Sequence, residues 1–163
     1  MPADVNAKLL RTLAEATTRL IAGQVYDTLG GFAVGQSPRQ KLELVHRNKT
    51  AALICCACRM GAICGGATAA QLAALSAYGE DIGLMFQVVD DLLDVTQTAE
   101  HGGKATGRDS GAGKLTYPGL HGTAESRKEV QRLRAEARRA LEPLGAAAEP
   151  LRELCDYMAV RTR

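Results

Sequence analysis

Tryptophan is absent from this 163-residue chain, and aromatic residues make up only 4% of it. β-Sandwiches draw on branched and aromatic side chains, so that scarcity argues against one. A surplus of one charge is missing too. The formal net charge is +2, and bulk charge therefore singles out neither nucleic acid nor a membrane surface. There are five cysteines: Cys55, Cys56, Cys58, Cys64 and Cys155. A zinc site could be drawn on Cys55, Cys56, Cys58 and His46, but buried free thiols account better for these residues. An odd cysteine count and no secretory leader predict a reduced, cytoplasmic compartment.

A convincing membrane span is the last absence. Met60 to Gly79 carries no charge, but it is rich in Gly and Ala, contains Gln71, and is flanked by Arg59, Glu80 and Asp81. Its hydrophobicity is too weak for a span. It reads as parts of two buried helices joined near Gly65-Gly66.

What remains is 46% apolar and dominated by Ala, Leu and Gly, which suits closely packed helices. The length fits one domain over residues 1–163. Leu9, Leu13, Leu20 and Val25 recur at helical intervals, which predicts a helix from about Val5 to Leu29, ended by Gly30-Gly31. Ser37-Pro38 with Gln40 reads as a capping box opening a second helix, which carries His46, Lys49 and Thr50 into the cysteine-rich run. A third helix is expected over about Ala69–Thr96, then a glycine-dense loop, a helix over about Thr123–Leu141 and a short one opening at Pro150. The fold class is all-α.

Chemistry concentrates in Phe86-Gln87-Val88-Val89-Asp90-Asp91-Leu92-Leu93-Asp94. On a helix, Met85, Phe86, Val89, Leu92 and Leu93 share an apolar face. Gly83, Gln87, Asp90 and Asp94 share a polar stripe, made concave where Gly83 has no side chain, with Asp91 at its margin. Three carboxylates within five residues repel one another unless a cation neutralises them. A hard oxygen-binding ion such as Mg2+ suits that set, since it needs only one or two protein carboxylates besides water and phosphate. A solvated acidic face is the bland alternative. Against it stands the loop that follows, where Lys104, Lys114 and many glycines offer charge and backbone amides to phosphate. The loop is not a Walker sequence, so a nucleotide is not indicated.

FQVVDDLLD resembles the second aspartate-rich motif of trans-prenyl diphosphate synthases, and GKATGRDSGAGKLTYP is similar to that family's following loop. His46-Arg-Asn-Lys49-Thr50 resembles its KT helix, and Gly23-Gln24-Val-Tyr-Asp27 its GQxxD element. The four elements stand in family order and cover most of the chain. The resemblance implies a helical bundle of the isoprenoid synthase type. It also implies magnesium-assisted ionisation of an allylic diphosphate, followed by attack from isopentenyl diphosphate. Magnesium would lie at Asp90, Asp91 and Asp94, with Asp90 and Asp94 against the diphosphate and Asp91 in support. Lys49, Lys104 and Lys114 would neutralise phosphate charge, and Thr50 and Gln87 would turn oxygens toward the allylic cation. Gln24, Asp27 and Asp109 would contact substrate indirectly. No role is assigned to His46 or His121.

The family's first aspartate-rich motif, with its arginine pair, is not found before Gly23, where Asp4 and Glu15 are isolated. The resemblance therefore covers the C-terminal part of the fold. It implies a homo-oligomer or a partner supplying N-terminal helices. A non-catalytic partner subunit and a self-associating module with a vestigial metal site stay open as alternatives. Six basic residues between Ser126 and Ala140 are interleaved with Glu129 and Glu136 and with no aromatic. That pattern predicts a salt-bridged surface rather than a nucleic-acid face.

Overall fold

The computed structural model describes residues 1–100 and 115–162, those from 97 to 100 by their backbone alone. Among the described residues the regular structure is all helical.

Helix α1 (Ala3–Leu29) ends at Gly30, whose φ of 75° closes the last turn. At Ser37 the capping box forms as the sequence predicts. The Ser37 hydroxyl accepts from the Gln40 amide, the Gln40 side chain accepts from the Ser37 amide, and Pro38 opens α2 (Pro38–His46). The next stretch stays helical but widens into a π-helical turn over Arg47–Ala51 before α3 (Ala52–Cys64). Such turns often mark functional sites, because the extra residue displaces side chains from their α-helical register. This one carries Lys49 and Thr50.

Gly65 and Gly66 break the chain where the uncharged stretch is expected to divide. Thr68 and Gln71 then cap each other's backbone amides, and α4 runs over Ala69–Glu100. It is the central helix: Tyr78, Ile82, Met85, Val88 and Val89 are buried along it. The Tyr78 hydroxyl donates to the Leu151 carbonyl at 2.8 Å, fastening α4 to the last helix.

Beyond residue 114 the chain forms α5 (Tyr117–His121), α6 (Thr123–Ala140), a 3-10 segment (Glu142–Ala148) and α7 (Glu149–Val160). Helix α6 turns Val130, Leu133 and Ala137 inward. Its charges pair: Arg132 bridges Glu129 and Glu136, Lys128 meets Glu125, and Arg134 and Arg138 both hold Asp156 of α7. The five cysteines are free, with Cys55, Cys56 and Cys155 buried. No described helix is long and apolar enough to cross a membrane.

Candidate functional site

Two glycines place the π-helical turn. A Cβ on Gly23 of α1 would stand 2.4 Å from the Lys49 nitrogen, and one on Gly83 of α4 would stand 2.5 Å from the Ala51 Cα. Only hydrogen fits at either position, so the turn lies in close backbone contact with both α1 and α4. The sequence suggests that Gly83 hollows the acidic stripe. Instead it is buried in a backbone contact, and the space a side chain would take is filled by Ala51.

Held this way, the turn delivers Lys49 and Thr50 to separate partners. Lys49 Nζ lies 2.6 Å from Asp27 Oδ2, and both groups are largely shielded from solvent. Thr50 Oγ1 donates to Gln87 Oε1 at 2.8 Å. Gln87 Nε2 in turn donates to Asp91 Oδ1 at 3.1 Å, and the backbone amide of Tyr117 donates to Asp91 Oδ2 at 2.8 Å. His46 Nε2 stands 3.6 Å from that same oxygen. A cavity of about 30 Å³, bounded by Asp27, His46, Lys49, Gln87, Asp91 and Thr116, joins these groups and is too small for an organic ligand.

The three aspartates of the motif diverge. Asp91 is 3% exposed and faces inward. Asp90 is partly open, and its carboxylate pairs with the guanidinium of Arg161. Asp94, one turn further along the stripe, is half-buried. No three His, Cys, Asp or Glu side chains converge as a ready metal cage among the described residues. The donors still fit a hard cation. Asp90 and Asp94 offer two partly exposed carboxylates one helical turn apart, Mg2+ takes only one or two from a protein, and Asp90 already attracts a cation.

The arrangement brings together Asp27, Lys49, Thr50, Gln87 and Asp91. Gln24 remains exposed on α1, with no side-chain hydrogen bond to a described residue. Lys104, Asp109 and Lys114 lie outside the described residues. Four participants have no assigned role in the sequence reading: His46, Phe86, Tyr117 and Arg161. Burial pushes the His46 imidazole down to about 4, and its ring stacks near Tyr117 with centroids 6.2 Å apart. The cap at Thr116, whose side chain accepts from the Gly119 amide, was the available signal for α5. Nothing local marks Arg161, whose contacts reach back 71 residues.

The family model described as polyprenyl synthetase matches residues 2–152. Geranylgeranyl pyrophosphate synthase 10, mitochondrial, of Arabidopsis thaliana is 42% identical over 166 residues, covering 99% of this chain and 48% of the relative. Geranylgeranyl pyrophosphate synthase 11, chloroplastic, of the same plant is 44% identical, covering 96% and 44%. Among solved structures, a geranyltransferase from Helicobacter pylori complexed with magnesium and isoprenyl diphosphate superposes with a TM-score of 0.74 at 30% identity, covering 97% of this chain and 52% of that one. An FPP/GFPP synthase from Zymomonas mobilis gives 0.77 at 27%, covering 96% and 52%. The chain thus spans about half the length of these relatives.

Proposed function

The chain belongs to the polyprenyl synthetase family, and on that premise we propose that it holds the magnesium-bound diphosphate of an allylic substrate for condensation with isopentenyl diphosphate. One observation carries the reading. The Asp27–Lys49 and Thr50–Gln87 contacts join the GQxxD, KT and aspartate-motif elements, although 22 and 37 residues separate the partners.

Asp90 and Asp94 would hold the metal, which supplies positive charge to the departing diphosphate. Lys49, oriented by Asp27, adds a second positive charge there. Lys104 and Lys114 are assigned the same work from sequence alone, and Gln24 and Asp109 an indirect contact with substrate. Thr50 and Gln87 present oxygens to the allylic carbon as cationic character develops, an electrostatic complement fixed before the reaction begins. Asp91 supports the motif from the protein side.

A second reading rests on α1. Leu10, Ile21, Val25 and Leu29 are exposed there, on the side away from buried Thr12, Ala16 and Gly23. This stripe suits a partner or a second copy, as in a subunit that acts within a larger assembly.

Calorimetric titration of geranyl diphosphate, with and without Mg2+, tests the first reading. Binding that requires Mg2+ supports it; the same binding in chelator, or none in either condition, contradicts it.

A further inference from the structure

Thr50 and Gln87 can serve a developing cation only if they show it lone pairs rather than protons. A primary amide is ambiguous in this respect, since rotating it by half a turn exchanges its negative end for its positive one. Something must fix the Gln87 amide, and among the described residues Asp91 stands where it can do so.

Gln87 Nε2 meets Asp91 Oδ1 at 3.1 Å, and Gln87 Oε1 meets Thr50 Oγ1 at 2.8 Å. Reversing the amide would set its oxygen against a carboxylate oxygen at the same distance. It would also leave that carboxylate oxygen without its donor. The carboxylate accepts only, so Gln87 must offer it nitrogen and turn oxygen toward Thr50. The single Thr50 hydroxyl proton is then committed to Gln87, which leaves the Thr50 lone pairs outward. One acceptor thereby sets the polarity of two residues in series.

Asp91 itself is held firmly enough to do this. At 3% exposure it lies beneath the stripe of Asp90 and Asp94. Its other oxygen takes the Tyr117 amide at 2.8 Å, at the first residue of α5. His46 Nε2 stands 3.6 Å from that same oxygen.

We propose that Asp91 is a positioning residue: its carboxylate orients Gln87, and through it Thr50, toward the developing cation without binding the metal. The cation in question rests on the function proposed above, whereas the orientation of Gln87 does not. The inward turn of Asp91 separates it from the neighbouring carboxylate of Asp90, which meets the largely buried Arg161.

The test uses the full chain labelled with 15N, with the Gln87 side-chain amide signals assigned by their loss in Gln87→Leu. Asp91→Asn keeps an acceptor for Tyr117 but offers an NH2 group where Gln87 needs an acceptor. The expected result is a shift of the Gln87 amide pair and about a tenfold faster hydrogen exchange, matching loss of one charge-assisted bond. Affinity for Mg2+ with inorganic pyrophosphate should meanwhile stay within about threefold of the natural protein, against about a tenfold loss in Asp90→Asn. Unchanged Gln87 signals would overturn the proposal. So would a loss of affinity in Asp91→Asn equal to that in Asp90→Asn, which would make Asp91 a metal ligand. If the natural protein binds no Mg2+–pyrophosphate, the proposed function fails while the Gln87 signals still decide the orientation. If Asp91→Asn does not fold, Thr50→Val decides: the Gln87 amide protons keep their protection if Asp91 holds them, and lose it if Thr50 does.

Discussion

The guanidinium of Arg161 sits on the carboxylate of Asp90. It is kept there by the Phe86 ring, 4.3 Å from its centre, and by the Phe86 carbonyl, which accepts at 3.4 Å. A protein cation thus occupies the aspartate proposed to hold the metal. Hydrogen bonds to charged groups contribute about 1.5–3 kcal/mol. Arg161→Gln is therefore expected to lower the Mg2+ concentration for half-maximal diphosphate binding by about tenfold. Calorimetry at stepped Mg2+ measures it; an unchanged or higher requirement would show that the two cations do not compete.

Gly83→Ala should destabilise the fold by about 2 kcal/mol, because overpacking against backbone cannot be relieved by a rotamer change. Its new Cβ would meet the Ala51 Cα at 2.5 Å and push the π-helical turn away from α4, stretching Thr50 from Gln87. Urea unfolding gives the energy. A variant as stable as the natural protein would mean that the turn is not clamped.

The helices were legible because their signals are local. The Ser37–Gln40 box, the Gly65-Gly66 break and the spacing of apolar residues each act within a few residues. The residue types at the site were legible for a similar reason, since charge density at Asp90, Asp91 and Asp94 is a property of the sequence. What each aspartate faces was not. Asp91 is distinguished from Asp90 by Tyr117 and Arg161, whose approach depends on how α5 and α7 pack. Likewise Gly83 reads as an opening on a helical wheel, and only the position of Ala51 turns it into a contact.

Stability should depend on pH through His46. The unfolded imidazole takes up a proton near 6.5, whereas the folded one resists until about 4. Its contribution is complete above pH 6.5 and falls away on acidification toward 4, by about 3 kcal/mol in all. Asp81 works oppositely: burial raises its carboxyl to about 6, so the fold gains stability on acidification between about 6 and 4. His46→Gln isolates the first effect, and its stability difference from the natural protein should change by about 3 kcal/mol between pH 7 and pH 4. Parallel unfolding profiles would contradict this.

The exposed residues Leu10, Ile21, Val25 and Leu29 on α1 should drive self-association, since apolar patches of this kind are normally covered. Light scattering is expected to give at least twice the chain mass. Ile21→Lys with Val25→Lys should shift the protein toward monomer, whereas a natural protein already monomeric at micromolar concentration would contradict the prediction.

Calorimetry of Asp90→Ala against the natural protein, with geranyl diphosphate and Mg2+, tests the central claim most directly. The expected result is a loss of Mg2+-dependent affinity of about tenfold or more, the scale set by removing one charge-bearing ligand. Equal affinity in the two proteins would contradict a diphosphate held through metal at this aspartate.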